Sequence, residues 1–232
     1  MGRGTFRSRQ ETLKAAERGD VDAMLEMYRF VQDREAVEWY RRAAEAGSSE
    51  GAFWVAVCYE QGRGVDVDAV MAFEWYKRSA EMGNLRGMSE LGLLYGEGRG
   101  VERDDAKAFE LLHKAYDRGL PDFCAVLAGY YAEGRGVKQD LTKAFELYCK
   151  WNGDEPEPYL EVARCYRFGR GVEADEKQAI YWYDYAGRYG SNEAFRELVE
   201  WRENMSDDGL TKEEKEKIEF ARRHCLQDDE DD

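Results

Sequence analysis

The sequence has 232 residues, a hydrophobic fraction of 43% and a formal net charge of −15. Its aromatic fraction of 13% is enough for a folded core and excludes a wholly disordered chain. No run of about 18 apolar residues occurs, so no membrane-spanning helix is expected. The negative charge disfavours binding to nucleic acid or to a membrane surface and favours a basic partner.

The chain begins with a basic, polar segment without an apolar signal core, and residues 1–11 are predicted to be a flexible terminus. Residues 12–19 resemble the end of a helix. Residues 20–50 then form a degenerate repeat in which Val31, Gln32 and Asp33 replace a glycine turn. The register of this repeat is kept by Trp39 and Tyr40, which recur as bulky pairs further along the chain.

The tetrapeptide Gly-Arg-Gly-Val occurs four times, starting at residues 62, 98, 134 and 169, with spacings of 36, 36 and 35 residues. A tyrosine stands three residues before each copy, and an aspartate stands three residues after its valine. Internal repetition at this period indicates stacked helical hairpins. The predicted repeats cover residues 51–86, 87–122, 123–157 and 158–193, with a half repeat at 194–202.

Each repeat is predicted to contain a helix A, a glycine turn and a helix B. The first glycine of the motif suits the left-handed residue that ends helix A, and the second gives the turn freedom to reverse. The aspartate suits the N-cap of helix B, and Asp175 with Gln178 fits a capping box. Small residues in both helices allow them to approach closely.

The repeat pattern breaks at residues 151–158, where Pro156 and Pro158 are expected to end helix B early and to bend the stack. Near the C-terminus, residues 203–226 are predicted to form a capping helix that Thr211 and Glu214 open. Residues 227–232 are almost all acidic and are predicted to be a disordered tail.

The second full copy carries Leu91-Gly92, Tyr95, Gly98-Arg99-Gly100-Val101, Asp104, Lys107-Ala108 and Gly119. With these residues the chain resembles the Sel-one-like repeat (SLR) family, a relative of the tetratricopeptide repeat, over residues 12–202. The resemblance implies an all-α, right-handed α-α superhelix (solenoid) of about five repeats, with helix A on the concave side. It also implies a non-catalytic adaptor or scaffold that binds a protein partner.

By analogy with tetratricopeptide geometry, a set of helix A side chains is expected to line a partner-binding groove. Three glutamates in the set form an acidic stripe, whereas the last repeat is basic through two arginines. A protein partner with a basic surface is therefore expected. The set consists of Phe53, Val57, Glu60, Gln61, Ser89, Leu93, Glu97, Ala125, Glu133, Leu160, Arg164, Arg167 and Phe168.

Catalysis has little support in the sequence. The only histidines are His113 and His224, and two such residues cannot complete a closed zinc site. Neither a nucleophile elbow nor a phosphate-binding loop occurs. The sequence thus predicts no enzyme, no cofactor and no metal. The four motif arginines have two interpretations. They could form a row that binds an anion, or they could be turn residues that pair with nearby acids, and the second interpretation is favoured.

Three further functions stay open at this point, one of which is a subunit of a larger regulatory assembly with the acidic tail as a second contact. A specific inhibitor, such as a toxin-immunity protein, fits the acidity and the absence of catalytic motifs. A cell-envelope hydrolase of the β-lactamase-like kind is disfavoured, because Cys124 holds one position of that branch's paired cysteines but Tyr116 holds the other. Five cysteines at irregular spacing are expected to be reduced thiols in a cytoplasmic protein.

Overall fold

The computed structural model describes residues 8–203, 205 and 209–228, and within these ranges it contains helices and no β-strand. The helices are α1 (Arg9–Glu17), α2 (Val21–Glu26), α3 (Asp33–Glu45), α4 (Ser49–Gln61), α5 (Ala69–Glu81), α6 (Leu85–Glu97), α7 (Asp105–Asp117), α8 (Cys124–Glu133), α9 (Leu141–Tyr148), α10 (Glu157–Phe168), α11 (Glu176–Arg188), α12 (Asn192–Arg202) and α13 (Lys212–Asp228). Short 3₁₀ turns lie at Met27–Arg29 and Pro121–Phe123. None of the described helices is both long and apolar enough to span a membrane. The predicted all-α repeat fold is confirmed.

The chain divides into two compact units, Met1–Leu120 and Pro121–Asp232. In the first unit each helix from α3 to α7 packs against the next helix in the chain. In the second unit α11 packs against α10, α12 and α13. Ile218 and Ala221 of α13 lie in the core of that unit, so the charged final helix covers the end of its stack.

The end of helix A and the start of helix B follow one pattern in all four motif repeats. The first glycine has φ between 66° and 71° and caps helix A in the left-handed conformation. The aspartate side chain then accepts a hydrogen bond from an amide in the first turn of helix B, as Gln178 donates to Asp175. The predicted aspartate N-caps and glycine C-caps are confirmed. The Asp175 amide donates to the Tyr166 carbonyl oxygen at 3.0 Å and not to the Gln178 side chain, so the predicted capping box is only half formed.

A main-chain hydrogen bond closes each of these turns. The amide of the capping aspartate donates to the carbonyl oxygen of the motif tyrosine, nine residues earlier in the chain. The distances are 3.0 Å for Asp68 to Tyr59, 2.9 Å for Asp104 to Tyr95, 3.0 Å for Asp140 to Tyr131 and 3.0 Å for Asp175 to Tyr166. The main-chain carbonyl of the motif tyrosine therefore joins the two ends of the turn. A comparison of residue types between repeats does not reveal this role.

The second glycine of the motif is needed for packing as well as for the turn. A Cβ on Gly100 would lie 2.1 Å from the carbonyl oxygen of Ala69, at the start of helix B in the preceding repeat. A Cβ on Gly171 would lie 2.0 Å from the carbonyl oxygen of Leu141 in the same way. The turn of one repeat thus rests directly on the backbone of the repeat before it.

The two terminal segments differ in extent from the prediction, whereas the short helix B before residue 151 agrees with it. Ser8 and Glu11 form a capping box, so helix α1 includes residues 9–11 of the segment expected to be flexible, while residues 1–7 lie outside the described residues. Helix α9 has eight residues where the other motif B helices have 13, which confirms its early end. The bend at this point stays a prediction.

At the C-terminus the predicted start of the final helix is confirmed, because Thr211 and Glu214 exchange hydrogen bonds of 2.6 and 3.3 Å. That helix continues to Asp228, two residues beyond the predicted limit of 226. The rest of the predicted acidic tail, residues 229–232, lies outside the described residues.

Candidate functional site

Four of the residues expected to line the groove lie in the core instead. Ser89 is 0% exposed and Leu160 2% exposed, while Phe53 and Val57 are 8% exposed. The Ser89 hydroxyl donates to the carbonyl oxygens of Leu85 and Arg86 in its own helix. Phe53 packs edge-on against Tyr76 of helix B. We therefore remove all four residues from the candidate groove surface.

The exposed position in helix A is one residue further along the chain. Trp54, Glu90, Val126 and Glu161 directly follow the four predicted positions 53, 89, 125 and 160, and all are partly exposed. One residue turns the helix by about 100°, so a one-residue error in register exchanges a core side chain for a surface side chain. Glu90 lies three residues before Leu93 and seven before Glu97, which is the spacing that would have revealed it.

In the first unit the acidic residues form a cluster around one arginine. The Tyr76 hydroxyl donates to Glu60 at 2.8 Å. Arg99 lies 3.1 Å from Glu60 and 2.5 Å from Glu97. Burial, followed by the charges of Glu60 and Glu97, raises the pKa of the nearby Glu90 carboxyl despite the opposing charge of Arg99. Three carboxyl groups thus share one cation.

Two of the four motif arginines pair with nearby acids, as the favoured interpretation predicts. Arg99 bridges two glutamates, and Arg135 lies 3.8 Å from Glu133 and 4.5 Å from the ring of Tyr130. The predicted acidic stripe is therefore partly neutralised. These exposed ion pairs are worth about 0–1 kcal/mol each.

In the second unit the predicted basic end of the groove is a compensated network. Arg164 pairs with Glu161 at 2.6 Å, with Glu193 at 2.7 Å and also with Glu197. Arg167 lies 3.9 Å from Glu197. The prediction of a basic surface here is wrong, because three carboxylates surround two arginines.

The remaining predicted residues of the second unit vary in exposure. Ala125 on α8 is partly buried, whereas Glu133 is exposed. Phe168 is 52% exposed and has the guanidinium groups of Arg167 and Arg170 at 4.7 and 5.0 Å from its ring. Gln61 in the first unit is exposed, and Leu93 is partly buried. The outward residues among these stay candidates for partner contact.

Equivalent positions in the two units carry opposite charges. Glu60 and Arg167 each follow the motif tyrosine, while Glu90 and Glu197 each lie seven residues after the glycine that ends helix B. In the second unit Arg167 and Glu197 both hydrogen-bond Tyr183, at 3.3 and 2.8 Å. In the first unit the same two positions are both acidic. The first unit therefore has an excess of negative charge where the second has an ion pair.

This difference predicts opposite effects of two conservative substitutions. Glu90 has a raised pKa in the folded state, so its contribution is favourable below the unfolded-state pKa and is lost as the pH rises through the folded-state pKa. Glu90→Gln should therefore raise the midpoint of thermal unfolding at pH 7. The same scan at pH 4 should show a smaller difference.

For Glu197 the sign is reversed. Burial alone raises the pKa of this carboxyl, but the hydrogen bonds from Arg164 and Tyr183 lower the pKa below its usual value. Its contribution is present above the unfolded-state pKa and is lost as the pH falls through the folded-state pKa. Glu197→Gln should lower the unfolding midpoint at pH 7, and a change of the same sign in both variants would contradict this assignment.

Both histidines have partners on their own helices. His113 pairs with Asp117 at 2.9 Å and packs on Phe109, and the Nδ1 atom of His224 lies 3.0 Å from the carbonyl oxygen of Phe220. In the ranges that the structure covers, no three His, Cys, Asp or Glu side chains are grouped to hold a metal ion.

Stacked helical hairpins with charged, partly exposed helix A faces define a repeat protein of the interaction-module class. The Sel1 repeat matches residues 29–48, 49–84, 85–120, 121–151 and 159–190, which is well over half of the sequence. The chain belongs to the Sel1 repeat family. Sel1 repeats generally mediate protein–protein interaction and are typically non-catalytic.

Solved structures agree with this assignment. The chain is 28% identical to c5321, a protective antigen of uropathogenic Escherichia coli with an SLR fold, with a TM-score of 0.78. That match covers 94% of this chain and 48% of the antigen, so the chain spans about half of that protein. A Sel1 repeat protein from Oxalobacter formigenes is 24% identical, with a TM-score of 0.68, over 94% of this chain and 88% of that one. No curated protein matches the chain.

Proposed function

We propose that this protein is a non-catalytic adaptor that binds a basic surface of a protein partner through the exposed A-helix face of its first unit. That face is formed by Trp54 and Gln61 on α4 and by Glu90, Leu93 and Glu97 on α6. The observation that carries the proposal is the carboxyl cluster of Glu60, Glu90 and Glu97, which contains Arg99 as its one ion-paired arginine.

The electrostatic cost of this cluster supports a role outside folding. The raised pKa of Glu90 means that its charge opposes folding at neutral pH. A cation from a partner would relieve this repulsion, whereas the equivalent position in the second unit is already compensated by Arg167. Leu93 lies between the two glutamates of α6 and offers an apolar contact beside them.

A charge-reversal experiment tests the proposed face. Partners are captured from the cell that makes the protein, and the Kd of the most enriched partner is measured by titration calorimetry. The double variant Glu90→Lys/Glu97→Lys should weaken binding on the order of 10- to 30-fold, at about 1 kcal/mol for each reversed charge. The control Glu74→Lys/Glu110→Lys changes the net charge equally but on exposed positions of helices B.

The control variant should bind like the wild type. Equal weakening by both double variants would show that overall charge, and not this face, controls binding. Circular dichroism melts of all three proteins show whether the substitutions leave the fold intact.

We also place the protein in the cytoplasm, with neither nucleic acid nor a membrane as its partner. Cys58 and Cys165 are buried as free thiols and form no disulfide, which supports this location. An inhibitor of the toxin-immunity kind would use the same acidic face. Protection of cells from a toxin encoded next to its gene would distinguish that role from a general adaptor.

A further inference from the structure

A cavity of about 610 Å³ opens in the first unit, away from the Glu60–Arg99 cluster. Its walls come from α2, the following 3₁₀ turn, α3 and α4. It lies in the degenerate repeat, where the first helix has six residues and is followed by the Met27–Arg29 turn, whereas α4 and α6 have 13 residues each. The cavity is thus associated with the repeat that lacks the glycine turn.

Three aromatic rings form a row along this cavity. The ring centroids of Tyr28 and Tyr40 are 6.5 Å apart with planes at 30°, and those of Tyr40 and Trp54 are 6.1 Å apart with planes at 22°. Tyr28 is 57% exposed, so the row can be reached from solvent. The faces of such rings attract cations, and a guanidinium group stacks on them especially well.

The side chains that line the cavity carry more negative than positive charges. Asp22, Glu26, Asp33 and Glu50 line it together with two arginines, Arg29 and Arg63. Glu50 lies beside the aromatic row, where its carboxylate accepts a hydrogen bond of 3.4 Å from the Trp54 indole. A carboxylate next to a stacking surface is the arrangement that binds a guanidinium group by charge and by geometry together.

Tyr40 provides a second and independent indication of a ligand. Its side chain lines the cavity and is only 7% exposed, yet among the described residues nothing hydrogen-bonds its hydroxyl. Of the tyrosines at the equivalent positions, Tyr76 and Tyr183 donate to carboxylates. The Tyr40 hydroxyl opens onto the cavity, so it can hydrogen-bond a ligand that enters.

We infer that this cavity binds an arginine side chain of the partner protein, with the guanidinium group stacked on the Tyr28–Tyr40–Trp54 row and hydrogen-bonded to Glu50 and the Tyr40 hydroxyl. The inference rests on the proposed function, because it assigns one side chain of the basic partner to a cavity that borders the proposed face and shares Trp54 with it.

The test uses nuclear magnetic resonance with the full ¹⁵N-labelled chain. The probe is Nα-acetyl-arginine methylamide, and the control is its citrulline counterpart, which has nearly the same shape without the charge. The indole signal of Trp54 is identified with a Trp54→Phe variant. We expect a saturable shift of this signal with the arginine probe and none with the citrulline probe.

Two variants locate the contact within the cavity. Tyr40→Phe removes one hydroxyl and keeps the ring, so the Kd of the arginine probe should rise roughly two- to tenfold. Glu45→Gln changes an exposed acid on the same helix outside the cavity and should leave the Kd unchanged. An equal response to citrulline, no shift at Trp54, or an unchanged Kd in Tyr40→Phe would overturn the inference.

The outcome is independent of the charge-reversal experiment. If the arginine probe fails while partner binding depends on Glu90 and Glu97, the cavity assignment is wrong and the proposed face stands. If the probe binds but the affinity for the partner does not depend on those two glutamates, the proposed face is wrong and the cavity assignment is supported.

Discussion

Replacing Gly100 by alanine should destabilise the first unit by about 3 kcal/mol or more. A Cβ at this position would lie 2.1 Å from the Ala69 carbonyl oxygen, so the turn and helix α5 would have to separate. The φ of Gly100 is 70°, a conformation that costs an alanine roughly 1–2 kcal/mol before any contact is counted. Urea unfolding followed by circular dichroism measures the loss.

Gly83→Ala is the matched control for this substitution. Gly83 has φ of 90° and ends a helix of the same unit, but a Cβ there would meet nothing within 4 Å. Its cost should be limited to the backbone conformation, at roughly 1–2 kcal/mol. Equal losses in the two variants would mean that the close approach at Gly100 does not limit how the repeats stack.

Glu176→Gln should cost the second unit about 2–3 kcal/mol, because it removes a carboxylate that is ion-paired with a buried arginine. The side chain of Arg202 is 0% exposed and is ion-paired with Glu176, which is 43% exposed. Arg202→Met should cost less, within about 1 kcal/mol, since it removes the buried charge and leaves a carboxylate that water can reach. Urea unfolding of both variants gives the comparison.

The control for this pair is Glu173→Gln, an exposed glutamate in the turn before α11. Its effect should stay within about 0.5 kcal/mol. A larger loss in Arg202→Met than in Glu176→Gln would indicate that the contact of Arg202 with Trp201, whose ring centroid is 5.8 Å away, matters more than the charge.

The sequence predicts part of the proposed binding face but not the cavity. Glu60 and Glu97 were predicted as groove residues, and the spacing to Leu93 would also have shown Glu90. The cavity was not predicted, because its row of Tyr28, Tyr40 and Trp54 comes from three separate helical elements. A degenerate repeat gives only a weak sequence signal for a cavity, although the missing glycine turn shows where the repeat is irregular.

The sequence by itself determined the hairpin of each repeat. Gly98 ends helix A and Asp104 begins helix B through contacts with residues three or four positions away, and such local hydrogen bonds are encoded by residue type and spacing. The same is true of Thr211 and Glu214 at the final helix. These capping hydrogen bonds depend only on residues close in sequence and not on the position of the repeat in the protein.

Only the tertiary structure decided which side of helix A is exposed and which charges are compensated. Ser89 is buried and Glu90 partly exposed because neighbouring helices cover one side of α6, and adjacent residues differ by about 100° around the helix. Arg164 loses its expected basic character to Glu197, which lies 33 residues further along the chain. The pairing of Arg164 with Glu197 joins groups that are close in space but distant in sequence, and local spacing carries no record of it.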